Sequence, residues 1–403
     1  MDVLKQALSG VTVIEHAEGV AAQYCGRLLA LLGARVIKVE PPGGCTLRAE
    51  PPLVCQSPPR SALFEYLNVG KLTVTCDLAQ ASGRTTFAAL LDKADILLDD
   101  TPVRERGEFL DPSAACKNHP QLIYVSILPF GATGSHATLT ASELIMQHAG
   151  GEGYLMPNGL ALELFPDRPP VKIYGHFAET IGGTSAVCAI IGALLVQPEV
   201  GGQFVDISVQ DANVVLSCFA IQRLGDGFLE TRHGRSFRYG GVLECEDGFV
   251  QLLVLEQHQW LGLVELMGHP AWTSQPEYTD PMERGQRGKE INVQIRAWAR
   301  TQQVADVVSR GQALSVPLTH YRNTGDILES EANTERPSFA NVSMGDLGNF
   351  PFFVAPFRFS GDQLSLGPAI GAPGSDNDRV FGATLAQKAQ GSQVNRSDPP
   401  SQR

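Results

Sequence analysis

Apolar positions along the chain alternate between two rhythms. VTVIEHAEG (Val11–Gly19) is a β-branched, apolar run that predicts a buried strand ending in a loop. VAAQYCGRLLALLGA (Val20–Ala34) carries an apolar stripe at helical spacing and closes at Gly33, a residue suited to a helix C-terminus. RVIKVE (Arg35–Glu40) predicts a second strand, which PPGG stops. A β-α-β opening implies two parallel strands joined by a right-handed crossover. It is Rossmann-like, but the G-x-G-x-x-G dinucleotide fingerprint is absent.

The alternation continues beyond a proline-rich excursion from Pro41 to Pro59. KLTVTCDL (Lys71–Leu78), Asp95–Leu98 and QLIYVSIL (Gln121–Leu128) predict strands, with a helix over Arg84–Ala94. PFGATGSHAT reads as a flexible loop, and SELIMQHAGGEGYL as a helix ending near Gly150-Gly151. GGQFVDISVQDANVVLSCFAIQRL reads as strand, turn and helix. The result is an α/β fold with a mostly parallel sheet. After about Arg232 the texture changes to a hairpin with Asp247-Gly248 as its turn, then the helices EQHQWLGLVELMG and INVQIRAWARTQQVADVVSRG, closed by ALSVPL (Ala313–Leu318). The expected division is a large Rossmann-like domain over residues 1–232 and a smaller α+β domain over 233–318. Residues 319–385 form a return segment packing on the large domain, with short apolar strands in Phe350–Ser360, and 386–403 have the composition of a disordered tail. A length of 403 residues supports more than one core, because single cores stop growing at roughly 250–300 residues.

Charge and cysteine usage narrow the function. A formal net charge of −12 argues against nucleic acid or an anionic membrane as partner. No uninterrupted apolar run of about 18 residues stands out, and MDVLKQALSG has no signal-peptide core, so neither membrane nor export is expected. Eight cysteines without a C-x-x-C pair, and nine histidines without H-x-x-x-H spacing, predict reduced thiols in a cytoplasmic protein and no metal site.

The stretch richest in chemistry is VKIYGHFAETIGGTSAV (Val171–Val187). It begins extended, crosses Gly175-His176, delivers the single carboxylate Glu179, and enters a Gly-Gly-Thr-Ser opening before an apolar helical run to Leu195. The unpaired N–H groups of a first helical turn favour negative charge, and small residues admit a substrate. Glu179 therefore reads either as a reactive carboxylate or as a first-turn acid that complements the helix dipole.

Seven motifs then stand in one order: VIEHAEGVAAQYCGRLLALLGARVIKVEPPGG, NVGKLTVTCDL, YVSILPFGATG, SELIMQHAGG, the Glu179 segment, GGQFVDISVQDA and VAPFRFSG. Over roughly residues 8–385 the series resembles the class III CoA-transferases, relatives of formyl-CoA and carnitine CoA-transferases. The resemblance implies the two-domain architecture above and a dimer of subunits threaded as interlocked rings. It implies transfer of CoA from a donor such as succinyl-CoA to a carboxylic acid, with acyl-CoA as substrate and no permanently bound cofactor. In that family an aspartate attacks the thioester, giving a mixed anhydride and then an enzyme-linked CoA thioester. Counting PVKIYGHFAETIGG against the family pattern puts Glu179 at that position. The extra methylene moves the carboxylate by roughly 1 Å, a shift that costs on the order of 100-fold unless the pocket has adjusted.

The same register carries over the CoA contacts. The basic residue after RVIKVE becomes Pro41, the Asn-Phe pair beside the nucleotide becomes Asp100-Thr101, and the glutamine after the first strand becomes Val20, next to Ala21. Lys71 and Asp77, Arg106 at a phosphate-contacting position, and Glu143 in the SELIMQ helix retain the family pattern. Lys71 and Arg106 read equally as ligands or solvated surface charges, and Gly240-Gly241 as a mobile loop over the site or a hairpin turn.

Three functions follow. The first is a CoA-transferase with Glu179 as nucleophile. The second is a catalytically weak subunit paired with an Asp-bearing paralogue, as in benzylsuccinate CoA-transferase, so the partner is either a second copy or that paralogue. The third is racemisation, since α-methylacyl-CoA racemase shares the fold and uses a His and an Asp. Register puts Ser142 at the histidine position, with His148 six residues later on the same helix, so racemisation is expected to be absent.

Overall fold

The computed structural model describes residues 6–157, 162, 165–169, 171–227, 229, 231, 239–360 and 364–382. The expected tail at 386–403 and the expected boundary at 232/233 lie outside them. The chain divides into two compact units, and their bounds differ from the expected ones. The first takes the described residues up to Gly150, Ile173–Leu216, and those from Ser338 on; the second takes the described residues of Gly151–Lys172 and Ser217–Pro337. Periodicity locates elements but does not say which core each one joins.

Six strands form the sheet of the first unit: β1 (Thr12–His16), β2 (Arg35–Glu40), β3 (Leu72–Thr75), β4 (Ile96–Asp99), β5 (Ile123–Leu128) and β6 (Phe204–Ser208). Every pairing is parallel, and the order is 3-2-1-4-5-6. That is the order of a doubly wound sheet, whose ligand crevice opens at the carboxyl ends of the strands where the order reverses, here between β1 and β4. Alternate strand residues face opposite sides. Val13, Val36, Leu98 and Val125 pack under one layer of helices, while Ile14, Ile37, Leu97 and Tyr124 pack under the other.

The first layer holds α1 (Val20–Leu31), the second α3 (Ala81–Leu91), with α2 (Ala62–Asn68) between them in sequence. α4 (Glu143–Ala149), α5 (Phe177–Val200) and α6 (Val209–Val214) complete the first layer. α5 begins at Phe177, so the Gly-Gly-Thr-Ser sequence expected to open the helix lies inside it. The two glycines serve close packing: a Cβ on Gly183 would stand 2.5 Å from the Ala21 carbonyl oxygen, and one on Gly182 2.8 Å from Val209. α5 is also apolar on nearly every side, with a mean hydropathy of 1.7 over an 18-residue window. It is long and apolar enough to span a membrane, a test that the core helix of a globular protein also passes.

Charge is buried where the parallel sheet leads one to expect aliphatics. Glu15 and Lys38, fully buried on paired positions of β1 and β2, are joined by Lys71. Glu15 accepts from Lys38 Nζ at 3.1 Å and from Lys71 Nζ at 2.6 Å. Lys71 Nζ also donates to the Gln23 carbonyl and to Asn68 Oδ1. Beyond the sheet, the described chain from Ser338 on returns to the first unit. Asp376 and Asn377 accept the backbone N–H groups of Thr73 and Thr75, so the open edge of β3 is covered.

In the second unit β7 (Gly240–Glu244), β8 (Phe249–Leu253) and β9 (Leu318–His320) form an antiparallel sheet with β8 central. α7 (Gln257–Leu266), α8 (Gly288–Ala299) and α9 (Val304–Ala313) pack on it through Trp260, Leu263, Ile291, Ile295 and Val307. The expected turn at Asp247-Gly248 joins β7 to β8, with Cys245 N–H donating to the Gly248 carbonyl. In the returning chain, β10 (Phe339–Ser343) pairs antiparallel with β11 (Asn349–Phe353). The strand expected within Phe350–Ser360 thus ends at Phe353, and its partner had no evident pattern.

Candidate active site

A cavity of about 740 Å³ opens at the switch point. Its floor is built from chain leaving the strand ends: His16 to Gly19 after β1, Asp100 to Glu105 after β4, and Leu128 and Pro129 at the end of β5. Ala21 of α1, Met146 of α4 and Glu179 of α5 complete the wall. Four carboxylates, Glu18, Asp100, Glu105 and Glu179, line it against one arginine, Arg104.

Glu179 reaches the cavity from the first turn of α5. With His176 as N-cap, Phe177, Ala178 and Glu179 are the first three helical residues. The first N–H groups of a helix lack intrahelical partners. His176 makes no side-chain cap, and the need is met from α4: Glu143 accepts from Ala178 N–H at 2.8 Å and from Glu179 N–H at 3.0 Å. The anion that the helix dipole favours is therefore supplied by Glu143, which frees the Glu179 carboxylate from capping the turn. Glu179 Oε2 instead stands 2.6 Å from His176 Nδ1. Its side chain is 17% exposed, against 41% for His176.

In the floor, both Asp100 oxygens lie within bonding distance of the Glu18 N–H, and Oδ2 also accepts from Gly19 N–H at 2.6 Å. These amides stand just ahead of α1, so Asp100 occupies the anion position at that helix start. Burial pushes its carboxyl up to about 6, opposed by the two backbone bonds and helped by Asp99. Asp99 is buried and gathers a network of Tyr124 OH at 2.7 Å, Thr101 Oγ1 at 2.6 Å, His16 Nδ1 at 3.2 Å and Arg106 Nη2 at 3.3 Å.

Of the expected site residues, Ala21, Asp100, Thr101 and Glu179 line the cavity. Val20 does not, and packs with Cys45, Phe64 and Leu67. Lys71 is not a solvated surface charge: it is 4% exposed and bonded to Glu15. Burial, and then Lys38, hold its ammonium down to about 8 against the pull of Glu15. Arg106 is likewise internal, donating to Ser126 and the Thr101 carbonyl and paired with Asp99. Asp77 lies just past β3, where its side chain accepts from Ala79 N–H. Glu143 caps α5 as described. Gly240 and Gly241 form neither a loop nor a turn: both have positive φ and are the first residues of β7, paired with Leu253 and Leu252. Ser142 is the N-cap of α4, and neither it nor His148 lines the cavity. Two residues escaped the sequence reading. His16 ends β1 at the reversal of strand order, and His176 precedes Glu179 at the i,i+3 spacing that brings side chains together on a helix.

Fold and cavity define an α/β protein with a side-chain carboxylate lining a cavity at the switch point of a parallel sheet. The chain belongs to CoA-transferase family III, whose model matches residues 8–378, and its curated relatives are transferases. It is 27% identical to a succinyl-CoA:mesaconate CoA-transferase of Haloarcula marismortui, across 83% of this chain and 85% of the relative. It is 30% identical to a succinate–glutarate CoA-transferase of Agrobacterium fabrum, across 68% and 70%. The solved structure of a CAIB/BAIF family protein from Brucella suis superposes with a TM-score of 0.82 at 25% identity, covering 95% of this chain and 99% of that one.

Proposed function

We propose that this protein moves CoA from an acyl-CoA such as succinyl-CoA to a carboxylic acid, with Glu179 as the nucleophile. The observation that carries this reading is the Glu179 carboxylate facing the switch-point cavity while another acid caps its helix. One Glu179 oxygen attacks the thioester carbonyl carbon; the C–S bond breaks and CoA leaves as thiolate, giving a mixed anhydride. The thiolate then attacks the glutamyl carbonyl, expelling the donor acid and leaving CoA on Glu179. The acceptor carboxylate repeats the two steps in reverse order and departs as the new acyl-CoA. Glu179 is regenerated, and no oxidant or permanent cofactor is needed.

Ala21 and Thr101 are the proposed contacts for the substrate's reacting end. Names of the relatives support dicarboxylic acids as acceptors, mesaconate and glutarate among them. One observation favours the second reading, a weak subunit that works beside an Asp-bearing paralogue. Lys71 and Arg106 are held by internal carboxylates, and the charged residues lining the cavity are four acids against one arginine. The purified chain, incubated with succinyl-CoA and a panel of mono- and dicarboxylic acids, tests both. Transfer by the chain alone, lost in Glu179→Gln because an amide cannot attack the thioester, is the expected result. Transfer only after addition of a paralogue would reverse the choice.

The proposal includes a dimer and a cytoplasmic location. The outward face of α5 leaves Leu195 75% and Val200 65% exposed, an apolar surface that a second subunit would bury. All eight cysteines are free thiols, as a reducing compartment requires.

A further inference from the structure

We infer that His176 is a positioning residue for Glu179, and that this pair is what fits a glutamate to the nucleophile's place; the inference rests on the Glu179 reading above. His176 is the N-cap of α5 and Glu179 its third residue, the spacing at which a side chain in the first turn reaches back to the cap. In a capping box the third-position acid accepts the N-cap backbone N–H. Here it meets the N-cap side chain instead, with His176 Nδ1 2.6 Å from Glu179 Oε2. An ionised carboxylate only accepts, so the ring nitrogen facing it carries the proton and donates.

Three features of the first turn make the arrangement specific. Glu143 takes the Ala178 and Glu179 N–H groups, so Glu179 is not recruited as a backbone cap. Thr180 N–H and Thr180 Oγ1 both donate to the His176 carbonyl, fixing the backbone that carries the ring. Behind the turn, Ala178 is fully buried and Asn213 Nδ2 donates to its carbonyl, so the helix start cannot swing to compensate for a lost side-chain bond. The remaining freedom lies in the Glu179 side chain itself. A glutamate has one more rotatable bond than an aspartate, and the His176 bond removes it by tying down Oε2 and leaving Oε1 for the thioester carbon. The charged groups around the pair are Glu143 from α4 and, lining the same cavity, Glu18, Asp100, Arg104 and Glu105.

The test is steady-state transfer between succinyl-CoA and an accepted acid, with melting temperature measured in parallel, for His176→Ala, His176→Asn, Glu179→Asp, Glu179→Gln and the double variant His176→Ala/Glu179→Asp. Misplacing a reacting group by roughly 1 Å costs on the order of 100-fold. His176→Ala is therefore expected to lower kcat about 100-fold with KM within about threefold and melting unchanged. The Asn side chain places an N–H near the position of Nδ1, so His176→Asn should recover about tenfold of that loss. Glu179→Asp no longer reaches the ring, so the double variant should be no slower than Glu179→Asp alone. A wild-type kcat in His176→Ala, no recovery in His176→Asn, or multiplicative losses in the double variant would each overturn the inference while Glu179→Gln stays inactive. Turnover in Glu179→Gln, or none in the wild type, would instead overturn the nucleophile reading beneath it.

Discussion

Glu179 was legible as a first-turn acid, but its freedom to react was not, because that depends on a residue 36 positions away. A helix start needs an anion or an acceptor, and a sequence offers the nearest acid as the candidate. Glu143, placed by the resemblance among substrate contacts, fills that need from another helix. Removing it should therefore act twice. Glu143→Ala is expected to lower the unfolding free energy by about 0.5–2 kcal/mol, the range for a lost N-cap, measured by urea denaturation. It should also lower kcat, since Glu179 then becomes the acid available to its own helix dipole. Lys71 shows the opposite failure. A lysine ahead of a strand reads as exposed or as an anion ligand, and only the pairing of three strands reveals Glu15 and Lys38 beside it. Glu15→Gln leaves two buried ammonium groups without their carboxylate and should cost about 3–5 kcal/mol in the same assay.

Among elements, the six strands and the helices α1 and α3 followed from hydrophobic rhythm, because parallel strands buried on both faces leave unbroken apolar runs, whereas α2 had no reading of its own. The start of α5 did not follow either. Gly182 and Gly183 punctuate the sequence like a helix boundary, yet they sit one turn and more inside it, where α5 meets the backbone of α1 and the Val209 side chain of α6. Their role is proximity between helices, which no local pattern states. Gly183→Val should therefore force α5 away from the Ala21 carbonyl. A loss of about 1–3 kcal/mol is expected by denaturation, with a lower kcat because Ala21 and Glu179 line the same cavity. The strand β10 was missed for a related reason: a five-residue strand of a lone hairpin has little pattern beyond its partner's.

For the whole molecule, the outer face of α5 and the buried thiols yield two further expectations. Cys188 is exposed on that face of the single chain. If a dimer covers it, a thiol reagent should modify Cys188 far more slowly than the unfolded chain, and light scattering should return twice the 43.3 kDa chain mass. Burial pushes the Cys76 thiol up to about 11 and, with help from Glu18, Cys45 to about 12, from an ordinary value of 9.0. Between these values the unfolded chain loses protons that the folded chain keeps. Their stabilisation is complete below pH 9.0 and is lost as pH rises through about 11 and 12. Lys71, held down to about 8, runs the other way from about 8 to 10.5. Cys45→Ala and Cys76→Ala should accordingly flatten the alkaline decline of the urea midpoint. The central claim is tested most directly by the intact mass of the chain after incubation with succinyl-CoA alone. A mass increase equal to CoA less water, mapped to Glu179 and released by hydroxylamine, is the predicted result. A chain that transfers CoA while its own mass never changes, even under rapid acid quench, would contradict it.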